Sequence, residues 1–117
     1  MPLYSATEIN RERAEELSRR RNIAGTLQTL AKALSDRRRA EREVGYFAAL
    51  EARAARRVQI GVAESSEQID FGREYIAALN KLDEARATID GARIALVGQC
   101  RDEVRGQVNA YLLEVVK

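Results

Sequence analysis

Apolar residues recur along the chain at helical spacing, in two long runs separated by one short interruption. The first run holds Ile9, Leu17, Ala24, Leu27, Leu30 and Leu34, and it resumes at Val44, Phe47, Ala54 and Val58. The second holds Ile69, Ile76, Leu79, Leu82, Ile89, Ala92, Leu96, Cys100, Val104, Val108, Tyr111 and Val115. From Leu79 to Val115 the mean step is about 3.6 residues, the repeat of a straight helix, and a strict 3.5 repeat that forces a supercoil is not sustained.

Boundary signals frame the two runs. Met1 to Tyr4, with Pro2, reads as an extended lead-in. Ser5-Ala6-Thr7-Glu8 is a capping box, in which the Ser5 hydroxyl accepts from the Glu8 N–H and the Glu8 carboxylate accepts from the Ser5 N–H. Gly61-Val62-Ala63-Glu64-Ser65 breaks the pattern, and Ser65-Ser66-Glu67-Gln68 is a second capping-box candidate with Gln68 at the third helical position. Gly72, Gly91, Gly98 and Gly106 lie inside the second run, each costing a helix about 1 kcal/mol against alanine. They mark expected sites of close backbone approach or bending.

Both architectures that fit are all-α. In one, Ser35-Asp36 starts a new helix and the chain forms a three-helix bundle with helices of roughly 30, 25 and 50 residues. In the other, Ser35 to Glu43 is helical despite having Ala40 as its only apolar residue. One arm then runs over 5–60, a turn over 61–65 and a second arm over 66–116, within a single helical domain spanning 1–117. Arms of about 84 and 77 Å suit a long antiparallel hairpin, which is the preferred expectation. Folding about residue 63 sets Arg37, Arg38, Arg39 and Arg42 opposite Asp83, Glu84 and Asp90. The same register sets Leu17 near Val108, Leu27 near Cys100 and Leu30 near Leu96. Two helices alone present a narrow seam, and helices of this length depend on packing, so self-association or a partner is expected to complete the core.

Composition narrows the chemistry. The chain is 45% hydrophobic and 32% charged, so disorder is not expected. No apolar run approaches the roughly 18 residues of a membrane span, and no leader-like segment opens the chain, which points to a cytoplasmic protein without a membrane span. Histidine and tryptophan are absent and Cys100 is the only cysteine. Four Cys or His ligands for zinc, an internal disulfide and a Cys–His nucleophile are therefore all out of reach. Cys100 reads as a small buried apolar residue.

Glu12, Glu15 and Glu16 form the densest acidic group, but the Glu-x-x-His motif of di-metal bundles has no histidine to draw on. A solvated face flanked by Arg11, Arg13, Arg19 and Arg20 is the simpler reading. No glycine run forms a phosphate-cradling loop. The expectation is a protein that is not an enzyme, with no catalytic residues, cofactor or metal site.

Charge changes the picture most when resolved by position. Net charge is +2, yet residues 1–60 hold 13 bases and 8 acids, and 61–117 hold 7 bases and 10 acids. Seventeen of the bases are arginine, clustered at Arg19-Arg20-Arg21, Arg37-Arg38-Arg39 and Arg56-Arg57. The first two clusters are five helical turns apart and share a face at about 27 Å, while the third is rotated by about 100°. Arginine's planar fork suits phosphates or an acidic partner. Against nucleic acid stand a pI of about 8.9 and the lack of a helix-turn-helix, a basic zipper or a stacking platform. Neutralisation of the basic arm by the acidic one, with Glu12, Glu15, Glu16, Asp36, Glu41 and Glu43 interspersed, is the preferred expectation; contact with an acidic protein and with nucleic acid are the alternatives.

Tyr46, Phe47, Phe71 and Tyr75 gather near the turn, where they either anchor the tip or form a partner-binding hot spot with neighbouring arginines. The three arginine clusters and these four aromatics are the candidate partner-binding residues. The expected function is that of a helical interaction protein, an assembly or scaffold component with a protein partner or a second copy of itself. A nucleic-acid accessory protein and a small inhibitor of a larger complex are the alternatives.

Overall fold

The computed structural model describes residues 5–117; the expected lead-in at Met1 to Tyr4 lies outside them. Helix α1 spans Ala6–Gln59, α2 spans Ser65–Gln99, a 3-10 turn covers Asp102–Val104, and α3 spans Arg105–Val115. The two long helices α1 and α2 pack as an antiparallel hairpin, so the all-α hairpin reading holds. The three-helix split at Ser35 does not occur, because Ser35 to Glu43 is helical throughout. Asp36, expected at the start of a new helix, is bound along α1 instead: Lys32 Nζ reaches its carboxylate at 3.3 Å, and Arg37 lies 3.8 Å from Glu41. Such i,i+4 pairs each add a few tenths of a kcal/mol to a helix. They carry α1 through a stretch with almost no apolar residue.

Tertiary contacts divide the chain into two compact units. The turn unit is Lys32–Ile89, and the terminal unit combines Met1–Ala31, of which residues 5 onward are described, with Asp90–Lys117.

In the turn unit α1 ends in a Schellman motif. Val62 N–H donates to the Arg57 carbonyl at 3.0 Å and Gly61 N–H to the Val58 carbonyl at 3.1 Å, while Gly61 takes φ 80°. These are the 6→1 and 5→2 bonds that satisfy a helix's last carbonyls, and they need a left-handed residue. Helix α2 begins at Ser65, one residue earlier than the capping box implies, with Glu67 N–H donating to the Glu64 carbonyl at 3.3 Å. The Glu67 carboxylate binds Arg57 Nη1 at 3.0 Å, tying the start of α2 to the end of α1.

A second cross-helix pair, Lys81 with Glu43 at 3.5 Å, fixes the register further along. Both pairs are symmetric about residue 62, one position from the expected centre. The buried residues of this unit are Ala33, Ala40 and Ala54 on α1 and Ala78, Leu82, Ala85 and Ile89 on α2. They recur at seven-residue intervals, with half-buried Phe47, Phe71 and Tyr75 filling the series. Here the 3.6 expectation gives way to the spacing of a coiled-coil seam. The register brings Ala33 near the level of Ile89, Ala40 near Leu82, and Val44 near Ala78, so each layer joins one methyl to one longer side chain. Ile69 and Ile76, expected in the core, fall one position past this seam and are exposed.

In the terminal unit Ser5 caps α1 as expected, its Oγ accepting from Glu8 N–H at 3.2 Å. The second arm, expected to run unbroken to 116, stops at Gln99. Arg101 is extended (φ −65°, ψ 147°), and Arg93 Nη1 donates to Asn109 Oδ1 at 2.8 Å. A continuous helix would set those two residues about 24 Å apart, so α3 turns back toward α2. Arg105 stabilises the break: its guanidinium donates to the Gly98 and Cys100 carbonyls, both at 3.0 Å, and pairs with Asp102 at 2.6 Å. A cation thus meets the negative end of α2, which carries no base in its own last turn.

The break also resets the phase of the apolar face. Leu112 is buried in α3, whereas Val104, Tyr111 and Val115, expected in the stripe, are exposed. Cys100 is half-buried at a helix end, not within a helix. Leu17 is exposed, and its neighbour Glu16 pairs with Arg101 at 3.5 Å, which replaces the expected opposition of Leu17 and Val108.

Nothing lies within 4 Å of a Cβ built on any glycine, so none of the helical glycines marks a close backbone approach. Two substitutions separate backbone from packing effects. Gly61→Ala is expected to lower unfolding free energy by about 1 kcal/mol through its left-handed φ alone. Gly91→Ala is expected to raise it by about 0.5–1 kcal/mol. Urea titration followed by circular dichroism reads both.

Candidate functional site

Because one seam joins the two helices of the turn unit, each helix has residues flanking that seam on either side. The two flanks differ in chemistry. On one lie the cross-helix ion pairs Glu43–Lys81 and Arg57–Glu67. The same side holds a shallow groove of about 350 Å³, with Asp36, Arg39 and Glu43 from α1 and Lys81, Glu84 and Thr88 from α2 over a floor of Ala33, Ala40 and Ala85. Three carboxylates face two bases there, so the groove offers no uniform positive field to a phosphate chain.

The opposite flank is apolar over four successive levels. Gly45, Ala48, Ala52 and Ala55 of α1 stand at the levels of Leu79, Ile76, Gly72 and Ile69 of α2, each pair symmetric about residue 62 like the ion pairs. Ile69 and Ile76 are 55% and 59% exposed. Single exposed apolar side chains are ordinary, but a contiguous patch marks an interaction surface. Beyond the patch the flank turns charged, first with Glu41 and Asp83, then with Arg38 and Arg86.

Arg19, Arg20 and Arg21 belong to the terminal unit; Arg37, Arg38, Arg39, Arg56 and Arg57 belong to the turn unit. Helical rotation splits every cluster. Arg19 and Arg20 bind Glu16 at 2.9 and 3.3 Å, Arg37 pairs with Glu41, and Arg57 with Glu67, while Arg21, Arg38, Arg39 and Arg56 are exposed. Among the described residues most ion pairs are local, and two of the three longer-range ones join an acid of α1 to a base beyond the turn. Of the expected neutralisation, the interspersed acids Glu16 and Glu41 supply the local part and Arg57–Glu67 one link between the arms. Arg38, Arg39 and Arg42 do not pair with Asp83, Glu84 or Asp90 among the described residues. Of the aromatics, Phe47, Phe71 and Tyr75 occupy the seam, whereas Tyr46 is exposed and stacks edge-on against Phe47 at 5.2 Å.

Sequence reasoning took Ile69 and Ile76 as core and so missed the apolar flank. The signal that finds it is the seven-residue recurrence of alanines, 33/40/54 on α1 and 78/85 on α2, which claims the seam and leaves the isoleucines outside.

The most concentrated electrostatic site lies in the terminal unit. Glu16 accepts from Arg19 and Arg20 and faces Arg101 from beyond the break. Desolvation pushes its carboxyl pKa up, but the charges of Arg19 and Arg101 and the hydrogen bond and charge of Arg20 outweigh it, leaving the group below the usual glutamate value. The arrangement holds Arg101 against α1. No known protein family, curated protein or solved structure matches this chain.

Glu16 has a folded-state pKa lowered relative to the unfolded chain, so its stabilisation is complete at neutral pH and disappears as pH falls through the depressed value. Thermal unfolding of wild type and Glu16→Gln is expected to show a gap at neutral pH that closes in acid. A gap that stays constant across that range contradicts the assignment.

Proposed function

We propose that this chain is a non-catalytic helical interaction protein, an assembly or scaffold component working through protein–protein contacts on the apolar flank of its turn unit. The observation that carries the reading is the exposure of Ile69 and Ile76 among residues no larger than alanine on the facing helix. Small facing residues let a docked helix approach closely, and the two isoleucines give it apolar surface to bury. Inhibition of a larger complex would use the same flank on a larger partner.

A phosphate-binding reading draws on Arg38 and Arg39, exposed and without an ion pair among the described residues. Asp36, Glu41 and Glu43 surround them, which weakens the field they offer. The proposal rests on the isoleucines for that reason.

Affinity capture separates the readings. Wild type, Ile69→Glu/Ile76→Glu and Arg37→Ala/Arg38→Ala/Arg39→Ala are compared at equal helicity. Loss of captured protein with the first variant and retention with the second is expected. The reverse pattern, with salt-sensitive retention of nucleic acid by wild type, overturns the proposal in favour of phosphate contact.

A further inference from the structure

We infer that α3 is a strap with two seats: folded back toward α2, as in the structure, and extended as a continuation of α2 alongside residues 6–18 of α1. Both seats lie within the terminal unit, so the inference does not depend on the apolar flank of the turn unit. The joint between α2 and α3 is narrow. Cys100 N–H still donates to the Val97 carbonyl at 3.2 Å, and Val104 N–H already donates to the Arg101 carbonyl at 3.1 Å. Between these bonds Arg101 is extended (φ −65°, ψ 147°), and Arg105 is helical again (φ −55°, ψ −44°). Turning the Arg101 ψ to the helical value of about −42° is the main change that joins the helices, and arginine is allowed in both regions. No proline and no left-handed residue stands in the joint to forbid it.

The folded seat is held mainly by polar contacts near the surface. Arg105 binds the Gly98 and Cys100 carbonyls and Asp102, and Arg93 binds Asn109. Leu112 is the one buried side chain of α3, so little apolar area opposes release. A helix so attached opens more readily than the seam between α1 and α2.

The extended seat is prepared on α1. Residues 6–18 are exposed in the folded form at every position except half-buried Glu16. The seven-residue seam runs on through this unit, with Leu30, Ala92 and Leu96 buried and Ile23 and Gln99 half-buried. Continued in that register, a straight second arm sets Glu103 against Arg19 and Leu113 against Ile9, with Gly106 and Ala110 facing Glu16 and Glu12. The first pair attracts, the small residues leave the two carboxylates open to water, and Ile9 and Leu113, 39% and 45% exposed in the folded seat, cover each other. On one flank Asn22 meets Asp102 and Glu15 meets Asn109, so neither level sets like charges opposite each other. The extended seat gives up the burial of Leu112 and the Arg101–Glu16 pair, which makes it the minor form. The strap thereby decides which apolar residues the terminal unit presents: Ile9 and Leu113 when folded, Leu112 and the position it fills when extended.

Double electron–electron resonance between spin labels at Arg13→Cys and Gln107→Cys, in a Cys100→Ser background of the full chain, tests the inference. Both positions are exposed in the folded seat. In the extended seat the labels stand on one flank of the seam, about one interhelical distance apart. In the folded seat residue 107 lies near the level of residue 27 of α1, which adds about 20 Å along the axis. Adding Arg105→Ala is expected to raise the short-distance fraction at least about threefold, with helicity kept. Adding Asp102→Pro to that variant is expected to remove the short fraction. A proline holds the residue before it extended, and it is accepted at the first position of the 3-10 turn. A distance that stays long in the Arg105→Ala variant overturns the inference, as does a short fraction that Asp102→Pro leaves in place. A broad distribution with loss of helicity overturns it too, since α3 then melts on release and takes no second seat.

Discussion

Pairing one alanine with one longer side chain in successive layers is the constraint from which the turn unit follows. Ala33, Ala40, Ala78 and Ala85 are all nearly inaccessible, and each stands near a longer residue of the other helix. Small layers let helix axes come together at the short end of the usual 8–10 Å range. They also add little transfer free energy, since a buried methyl contributes about 0.8 kcal/mol where a leucine contributes two to three times as much. The seam therefore specifies register well and supplies modest stability. Local ion pairs along α1, the Schellman closure at Gly61 and the Arg57–Glu67 link add small increments to it.

A narrow seam also decides what the rest of each helix does. Two helices in contact cover one stripe apiece, and every other position faces solvent or a partner. On one side of the turn unit those positions are filled by alternating charges, which neutralise each other across the helices. On the other side they are filled by alanine, glycine and isoleucine, which have no such internal answer. Inequality of the two flanks is what the proposed interaction surface rests on. The arginine clusters, conspicuous as sequence, are divided by the helical rotation of 100° per residue: Arg19, Arg20 and Arg37 pair with acids three or four residues away and Arg57 with Glu67, while Arg21, Arg38, Arg39 and Arg56 are exposed.

Much of the fold was legible in the residues, and the remainder was hidden for physical reasons. Ser5 and Gly61 announce the ends of α1 because each side-chain type has one local role there. The hairpin itself follows from two arms of matched length about a single clear break. The end of α2 at Gln99 carried no proline and no left-handed glycine. It depends on Arg105 reaching back to the carbonyls of Gly98 and Cys100, a tertiary contact that no local pattern encodes. The seam was misplaced because hydrophobicity alone ranks Ile69 and Ile76 above Ala78 and Ala85. Packing ranks them the other way, since only the small residues permit the helices to approach. The candidate site was read in the arginines and aromatics, while the isoleucines of the proposed apolar flank were assigned to the core.

Small layers in this seam are required by geometry and are not merely weak core. Equilibrium denaturation of Ala40→Leu and Ala78→Leu tests that claim most directly. Each change adds apolar surface to the seam, and a loosely packed interface would gain stability from it. A seam already closed on its alanines has no room for the extra carbons, and a loss of about 1–3 kcal/mol is predicted for each. Unchanged or increased stability in both variants would contradict the account.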